Sequence, residues 1–369
     1  MTAQTLRASQ AKTLAWIVAS LIHVRHLNLP ELALQAASNT SFKHRIKRLS
    51  RFLGNDRIDP VAAYCPLLLQ LFKTRKRKPL VLAFDWTKFR SLHSLGLVAV
   101  FGGRSVPVLW KTIHESGLYK SQSRLEREML AQLQRLLPPG QRVIILADRG
   151  FGKTDLARHC QQLGLDYVIR IKPNVQICCA QHVGLLSKYV VHPGQCHVLQ
   201  NVKFRKKDPV FQQVVVKCTK AETFYLMTNQ TASALRLTRL YKKRMSIEET
   251  FRDQKSHRHG FSLRSTRVTD PKRLDRLLLV LAIGYCLLCG FGLRMKQVYP
   301  ASCWSTNKRE HELSVLSIAR RMLGITQLTP RHALESLTTA LQKPPQTGDE
   351  SGSRDFGDNL TILKLSRRT

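Results

Sequence analysis

Two short apolar runs, each closed by an aspartate, constrain this chain more than any other feature. Leu80-Val81-Leu82-Ala83-Phe84 runs into Asp85, and Val143-Ile144-Ile145-Leu146-Ala147 runs into Asp148. Continuous apolar runs of strand length suit strands covered on both faces. Between them, Leu97 to Phe101, a Gly102-Gly103 turn and Val106 to Trp110 read as a hairpin. Leu125, Met129, Leu130, Leu133, Leu136 and Leu137 mark a helix over 122–137, stopped by Pro138-Pro139-Gly140. A helix to about Leu163 and a strand from Tyr167 to Ile171 follow Asp148. Strand, hairpin, helix, strand, helix, strand describes an α/β unit. A carboxylate beside a buried run costs stability unless it is capped, paired or metal-bound. Two of them in one sheet repel, and a divalent cation relieves that. For either aspartate alone, capping the next turn is an equally good account.

Acids are scarce elsewhere. The 369 residues carry 60 Lys+Arg against 24 Asp+Glu, a net charge of +36. Such a chain repels itself unless a polyanion compensates, and nucleic acid is the usual one, with an anionic membrane surface as the alternative. A hydrophobic content of 43% excludes a wholly disordered chain. The 9 cysteines are scattered and odd in number, which points to a reducing compartment. Nothing in the N-terminal stretch reads as a signal peptide. The uncharged run Leu277 to Leu293 is expected to be a buried core helix rather than a membrane span.

Residues 1–75 read as helical, with Leu14, Ile17, Val18 and Leu21 on one face. A second helix starts at Pro30-Glu31, and Ser41 is placed to cap a third. That third helix sets Phe42, Ile46, Leu49 and Leu53 against a basic face of Lys43, Arg45, Lys47, Arg48 and Arg51. A helix-turn-helix and a solvated basic helix in a bundle both fit. Lys73 to Lys78 forms a basic linker. Residues 174–230 look β-rich, with strands expected over Val198 to Phe204, Val210 to Cys218 and Phe224 to Met227. Helices are expected over 232–256, near 311–323 and over 330–342. A polar tail from Lys343 is expected to be mobile.

In the helical stretch from Tyr241, a regular helix brings Tyr241, Arg244, Glu248 and Lys255 within about 60° on one stripe. A salt-bridged exposed face would look the same. The spacing Tyr241-x2-Arg244-x3-Glu248-x6-Lys255 resembles the Y-x2-R-x3-E-x6-K signature of bacterial cut-and-paste transposases of the insertion-sequence-four family. LVLAFDWTKF around Asp85 and VIILADRGF around Asp148 are similar to that family too. HRIKRLSRFLGN and KRMSIEETFRDQKS resemble its insertion-sequence-ten branch. The resemblance covers most of residues 40–290.

It implies an RNase H-like catalytic core at 76–300, with a β-rich insertion at about 174–230. An all-helical DNA-binding domain at 1–75 would precede it, and a short helical region at 301–369 would follow. Asp85, Asp148 and Glu248 would be the catalytic triad, holding two Mg²⁺ or Mn²⁺ ions. Tyr241, Arg244 and Lys255 would grip phosphates near the scissile bond. The implied route nicks one strand at the element's end. The freed 3′-OH closes a hairpin, water reopens it, and the 3′-OH joins target DNA, with no protein–DNA covalent bond. Phe224 stands where such enzymes usually stack a flipped base on Trp; a core Phe on a strand is the alternative. The implied partners are double-stranded DNA, as terminal inverted repeats and target, and a second copy in a synaptic dimer. No membrane is involved, and the expected location is the bacterial cytoplasm at the nucleoid. A non-enzymatic DNA-binding protein or inactive relic acting as a repressor is the alternative.

Three signals are set aside. Ala147 to Thr154 nearly spells a P-loop, but Asp148 would oppose phosphate there. Cys286 and Cys289 lie in an apolar helix as structural thiols. Cys178, Cys179, His182, His192, Cys196 and His197 fit no common zinc spacing and read as scattered loop residues.

Overall fold

The computed structural model describes residues 6–35, 39–72, 79–102, 104–119, 121–204, 210–258, 260–306 and 313–342. The expected basic linker and the tail from Lys343 lie outside them. Four helices come first: α1 (Ala8–Val24), α2 (Leu29–Leu34), α3 (Phe42–Leu53) and α4 (Pro60–Phe72). α1 buries Leu14, Ile17, Val18 and Leu21, as its spacing predicts. α3 departs in two details. Its buried residues are Leu49, Phe52 and Leu53, and Phe42 is exposed at the first turn. Ser41 holds the cap position without a side-chain cap bond.

A ten-stranded sheet follows, in the order β3-β2-β1-β4-β5-β10-β9-β8-β6-β7. Its strands are β1 (Leu80–Phe89), β2 (Leu92–Phe101), β3 (Arg104–His114), β4 (Val143–Ala147) and β5 (Asp166–Arg170). They continue with β6 (Gln176–Cys179), β7 (His182–Leu185), β8 (Cys196–Phe204), β9 (Val210–Cys218) and β10 (Thr223–Thr228). β1, β4 and β5 run parallel, while β2 and β3 form an antiparallel meander with β1. The β-rich stretch continues this sheet rather than standing apart, because β10 pairs antiparallel with β5. The six cysteine and histidine residues are correspondingly not all loop residues: Cys178 and Cys179 lie on β6, His182 on β7, and Cys196 and His197 on β8.

The apolar runs are continuous because both faces are covered. Leu80, Leu82 and Phe84 join one core with Met129, Leu130 and Leu133 of α5 (Gln122–Leu136) and Leu156 of α6 (Thr154–Gln162). Val81 and Ala83 join a second core with Leu237 and Tyr241 of α7 (Ala234–Lys242) and Ile247 and Phe251 of α8 (Ser246–Lys255). Successive strand residues point to opposite faces, so one run feeds both layers.

α9 (Pro271–Val298) collects the rest of the chain: α1, α4, α10 (Val315–Met322) and α11 (Pro330–Gln342) pack on it. It is long and apolar enough to cross a membrane, yet 89% of its most apolar window is buried inside the fold. Two glycines permit the close packing. A Cβ on Gly290 would lie 2.0 Å from the Ala333 carbonyl oxygen, and one on Gly292 would lie 2.0 Å from that of Val315.

Candidate active site

Asp85 does not end its strand. Parallel pairing between β1 and β4 stops at Phe84 and Ala147, but antiparallel pairing with β2 carries β1 on to Phe89. Asp85 is thus the first β1 residue whose β4 side is open. Asp148 follows Ala147 at the same end of the neighbouring strand. Both are half-buried. Asp148 also caps the 3-10 turn Arg149–Phe151, accepting from the Gly150 N–H at 2.8 Å. The capping account of this aspartate and its place beside Asp85 therefore hold together.

The stretch from Tyr241 to Lys255 is not one helix. α7 ends at Lys242, a 3-10 turn spans Lys243–Met245, and α8 begins at Ser246. The expected even stripe is broken, but the turn swings Arg244 inward. Its guanidinium is buried and donates to Asp85 Oδ2 at 3.1 Å and to Glu248 Oε1 at 2.7 Å. Glu248 lies in the first turn of α8, with its side chain 43% exposed. Tyr241 is buried, and burial pushes its hydroxyl pKa up. Lys255 lies over the rings of Phe89 at 5.1 Å and Phe251 at 5.9 Å. Burial, then Arg264, pulls the Lys255 pKa down, while Asp85 holds it up.

Asp85 registers the crowding. Its pKa is pushed up to about 6, by burial first and then by the Asp148 carboxylate, with Glu248 adding to the rise. Arg244 and the Trp86 N–H, which donates to Asp85 Oδ1 at 2.8 Å, oppose it. Among the described residues, no three acid, histidine or cysteine side chains close on a common point that could hold a metal. Glu248 is turned to Arg244 instead. The donor chemistry nevertheless fits a hard divalent cation, since every donor is a carboxylate oxygen and a cation would offset the Asp85–Asp148 repulsion.

Phe224 is half-buried on β10, and the Arg170 guanidinium covers its ring at 4.5 Å while pairing with Glu222 at 2.6 Å. On α3, Lys43, Lys47, Arg48 and Arg51 are exposed and Arg45 is half-buried. Arg48 is tied back to α1, donating to Thr13 Oγ1 at 3.0 Å and lying over the Trp16 ring at 5.7 Å.

Sequence patterning gave no weight to three neighbours. Arg170 ends β5 one strand beyond Asp148, because Ala147 pairs with Ile169. Its signal is a charge breaking an apolar run. Trp86 donates its indole N–H to Glu126 Oε1 at 3.1 Å. Glu126 is fully buried on α5, and burial raises its pKa. Its signal is an acid on the apolar side of an amphipathic helix.

Asp85 and Asp148 thus stand at the same end of neighbouring parallel strands, and Arg244 joins the helix-borne Glu248 to Asp85. The chain matches the family model for the transposase DDE domain over residues 76–287, more than half its length. It belongs to that family and is a DDE transposase by descent. No curated protein matches it.

Proposed function

We propose that the chain is a cut-and-paste DNA transposase of the insertion-sequence-four family, insertion-sequence-ten branch, working at terminal inverted repeats. The observation that carries this is the meeting of Asp85 and Asp148 at one sheet end with Arg244 linking Asp85 to Glu248. The strand order β3-β2-β1-β4-β5, with β1, β4 and β5 parallel, supports an RNase H-like core.

Asp85, Asp148 and Glu248 would hold divalent metal, which when bound supplies Lewis acidity and an activated water. Arg244 and Lys255 offer cations to the phosphates flanking the scissile bond, and Tyr241 offers a hydroxyl. Arg244 presents a planar fork, so a phosphate oxygen can take over a carboxylate's place on it. One site then serves nicking, hairpin closure, reopening and joining, since each is an in-line attack on phosphorus. Phe224 would serve as the platform for a flipped base, with the Arg170 guanidinium already lying over its ring. Residues 1–75 would bind DNA through α3, 76–300 would carry the chemistry, and 301–369 would support a synaptic dimer. The protein would work in the bacterial cytoplasm at the nucleoid.

The test uses duplex DNA ending in the gene's flanking repeats, incubated with Mg²⁺, with wild type beside Asp148→Ala. A nick, a hairpin and joined product from wild type, with a variant that binds but does not cut, supports the transposase. Binding without cutting by both proteins points to a relic acting as a repressor.

A further inference from the structure

Arg273 stands in the first turn of α9, but its side chain serves α3. Its Nη2 donates to Ser50 Oγ at 3.0 Å. The guanidinium also lies over Gly54, where an added Cβ would come 2.7 Å from Nη1. Gly54 has an ordinary φ of −87°, so its missing side chain makes room for the arginine rather than easing the turn. Lys47, Arg51, Asn55 and Arg273 line an open depression of 670 Å³. The nearby acids are engaged elsewhere. Asp56 pairs with Arg276 and Lys272, and Asp270 caps α9 through the Arg273 N–H at 2.7 Å. Arg276 is buried and donates to the carbonyls of Leu53 at 2.8 Å and Ile58 at 3.2 Å. The end of α3 is therefore locked to α9.

Scattered surface cations make a solvated face. Here three converge on one depression, and one is pre-positioned by Ser50 and Gly54. A planar guanidinium flanked by two exposed cations suits a phosphodiester. We propose that Lys47, Arg51 and Arg273 form a seat for a backbone phosphate of duplex DNA, shared by α3 and α9. The Arg276 lock fixes the α3 and α9 sides of the seat relative to each other, and a phosphate contact of this kind positions the duplex without reading bases. The choice of DNA as the polyanion rests on the transposase proposal; the seat itself rests on the geometry.

The experiment measures affinity of the full chain for a mixed-sequence duplex across a salt series. The variants are Arg273→Ala, Gly54→Ala, the double variant, and Arg331→Ala as a control removing an exposed charge that pairs with Glu335 on α11. Arg273→Ala is expected to weaken binding severalfold and lower the salt slope by about one. Gly54→Ala keeps the net charge but displaces the guanidinium, and should reproduce much of that loss with no further loss in the double variant. Arg331→Ala should leave the slope unchanged. An unchanged slope in Arg273→Ala, or additive losses in the double variant, overturns the seat. Should Arg273→Ala fail to fold, Gly54→Ala alone decides, and its wild-type affinity overturns the proposal. Wild type that cuts repeat DNA while Arg273→Ala keeps its slope sinks the seat and leaves the transposase standing. Wild type that binds no duplex sinks both.

Discussion

Arg244 donates to Glu248 across one helical turn at 2.7 Å, and the same guanidinium reaches Asp85 on the sheet at 3.1 Å. One cation is thus shared between two carboxylates. Arg244→Ala should leave them repelling and lower stability by about 1–2 kcal/mol, a value discounted for the exposure of Glu248. Added Mg²⁺ should then raise the Tm of the variant more than that of wild type, because the carboxylates are free to take it. Equal shifts in a melting experiment would separate Arg244 from the metal question.

Trp86 follows Asp85 and is anchored to the buried Glu126, whose Oε2 has no hydrogen-bond partner. Trp86→Phe should cost about 1–3 kcal/mol by stranding that carboxylate. Glu126→Gln keeps an acceptor for the indole and removes the buried charge, so it should cost less than Trp86→Phe and leave Trp86 fluorescence near that of wild type. Urea unfolding of the two variants checks the order.

Asp275 on α9 is buried, and one of its oxygens, Oδ1, finds no partner. Its pKa is pushed up to about 7 by burial, while Thr112 and Lys111 draw it partway back. Between the ordinary 3.8 and about 7 the folded chain holds a proton that the unfolded chain has released. This contribution is fully present below the lower value and is lost as pH rises through the upper one. From about pH 5 to about pH 8 it should remove about 3 kcal/mol. Asp275→Asn should lose that slope. Denaturant midpoints that fall in parallel with pH for wild type and variant would contradict it.

Gly290 faces the Ala333 carbonyl with no room for a Cβ. Gly290→Ala should push α11 off α9 and cost about 1–3 kcal/mol or more, because backbone cannot turn aside as a side chain can. A Tm equal to wild type would show that the two helices can separate without penalty.

Much of the frame could be read in advance because it is written in local pattern. β1 and β4 announce themselves as apolar runs, and α5 and α9 as amphipathic and apolar stretches, since burial on one or two faces sets the periodicity. The order of the acids along the chain was equally open to view. Other features depended on partners remote in sequence. β1 runs past Asp85 because β2 pairs with it as far as Phe89 and Leu92, and nothing in Trp86 to Phe89 alone demands that. The strands beyond β5 join the main sheet because β10 docks on it in antiparallel register.

The chemistry divides along the same line. Residue order alone determined which acids and cations stand beside apolar runs, and so which groups could form a site. Only the tertiary structure decided how they meet. A single 3-10 turn at Lys243–Met245 brings Arg244 onto Asp85, 159 residues away, and Arg170 comes to lie over Phe224 from a neighbouring strand. The reason is physical: helix and strand periods are set by near neighbours, whereas the partner of a buried charge is whichever opposite group packing delivers within reach.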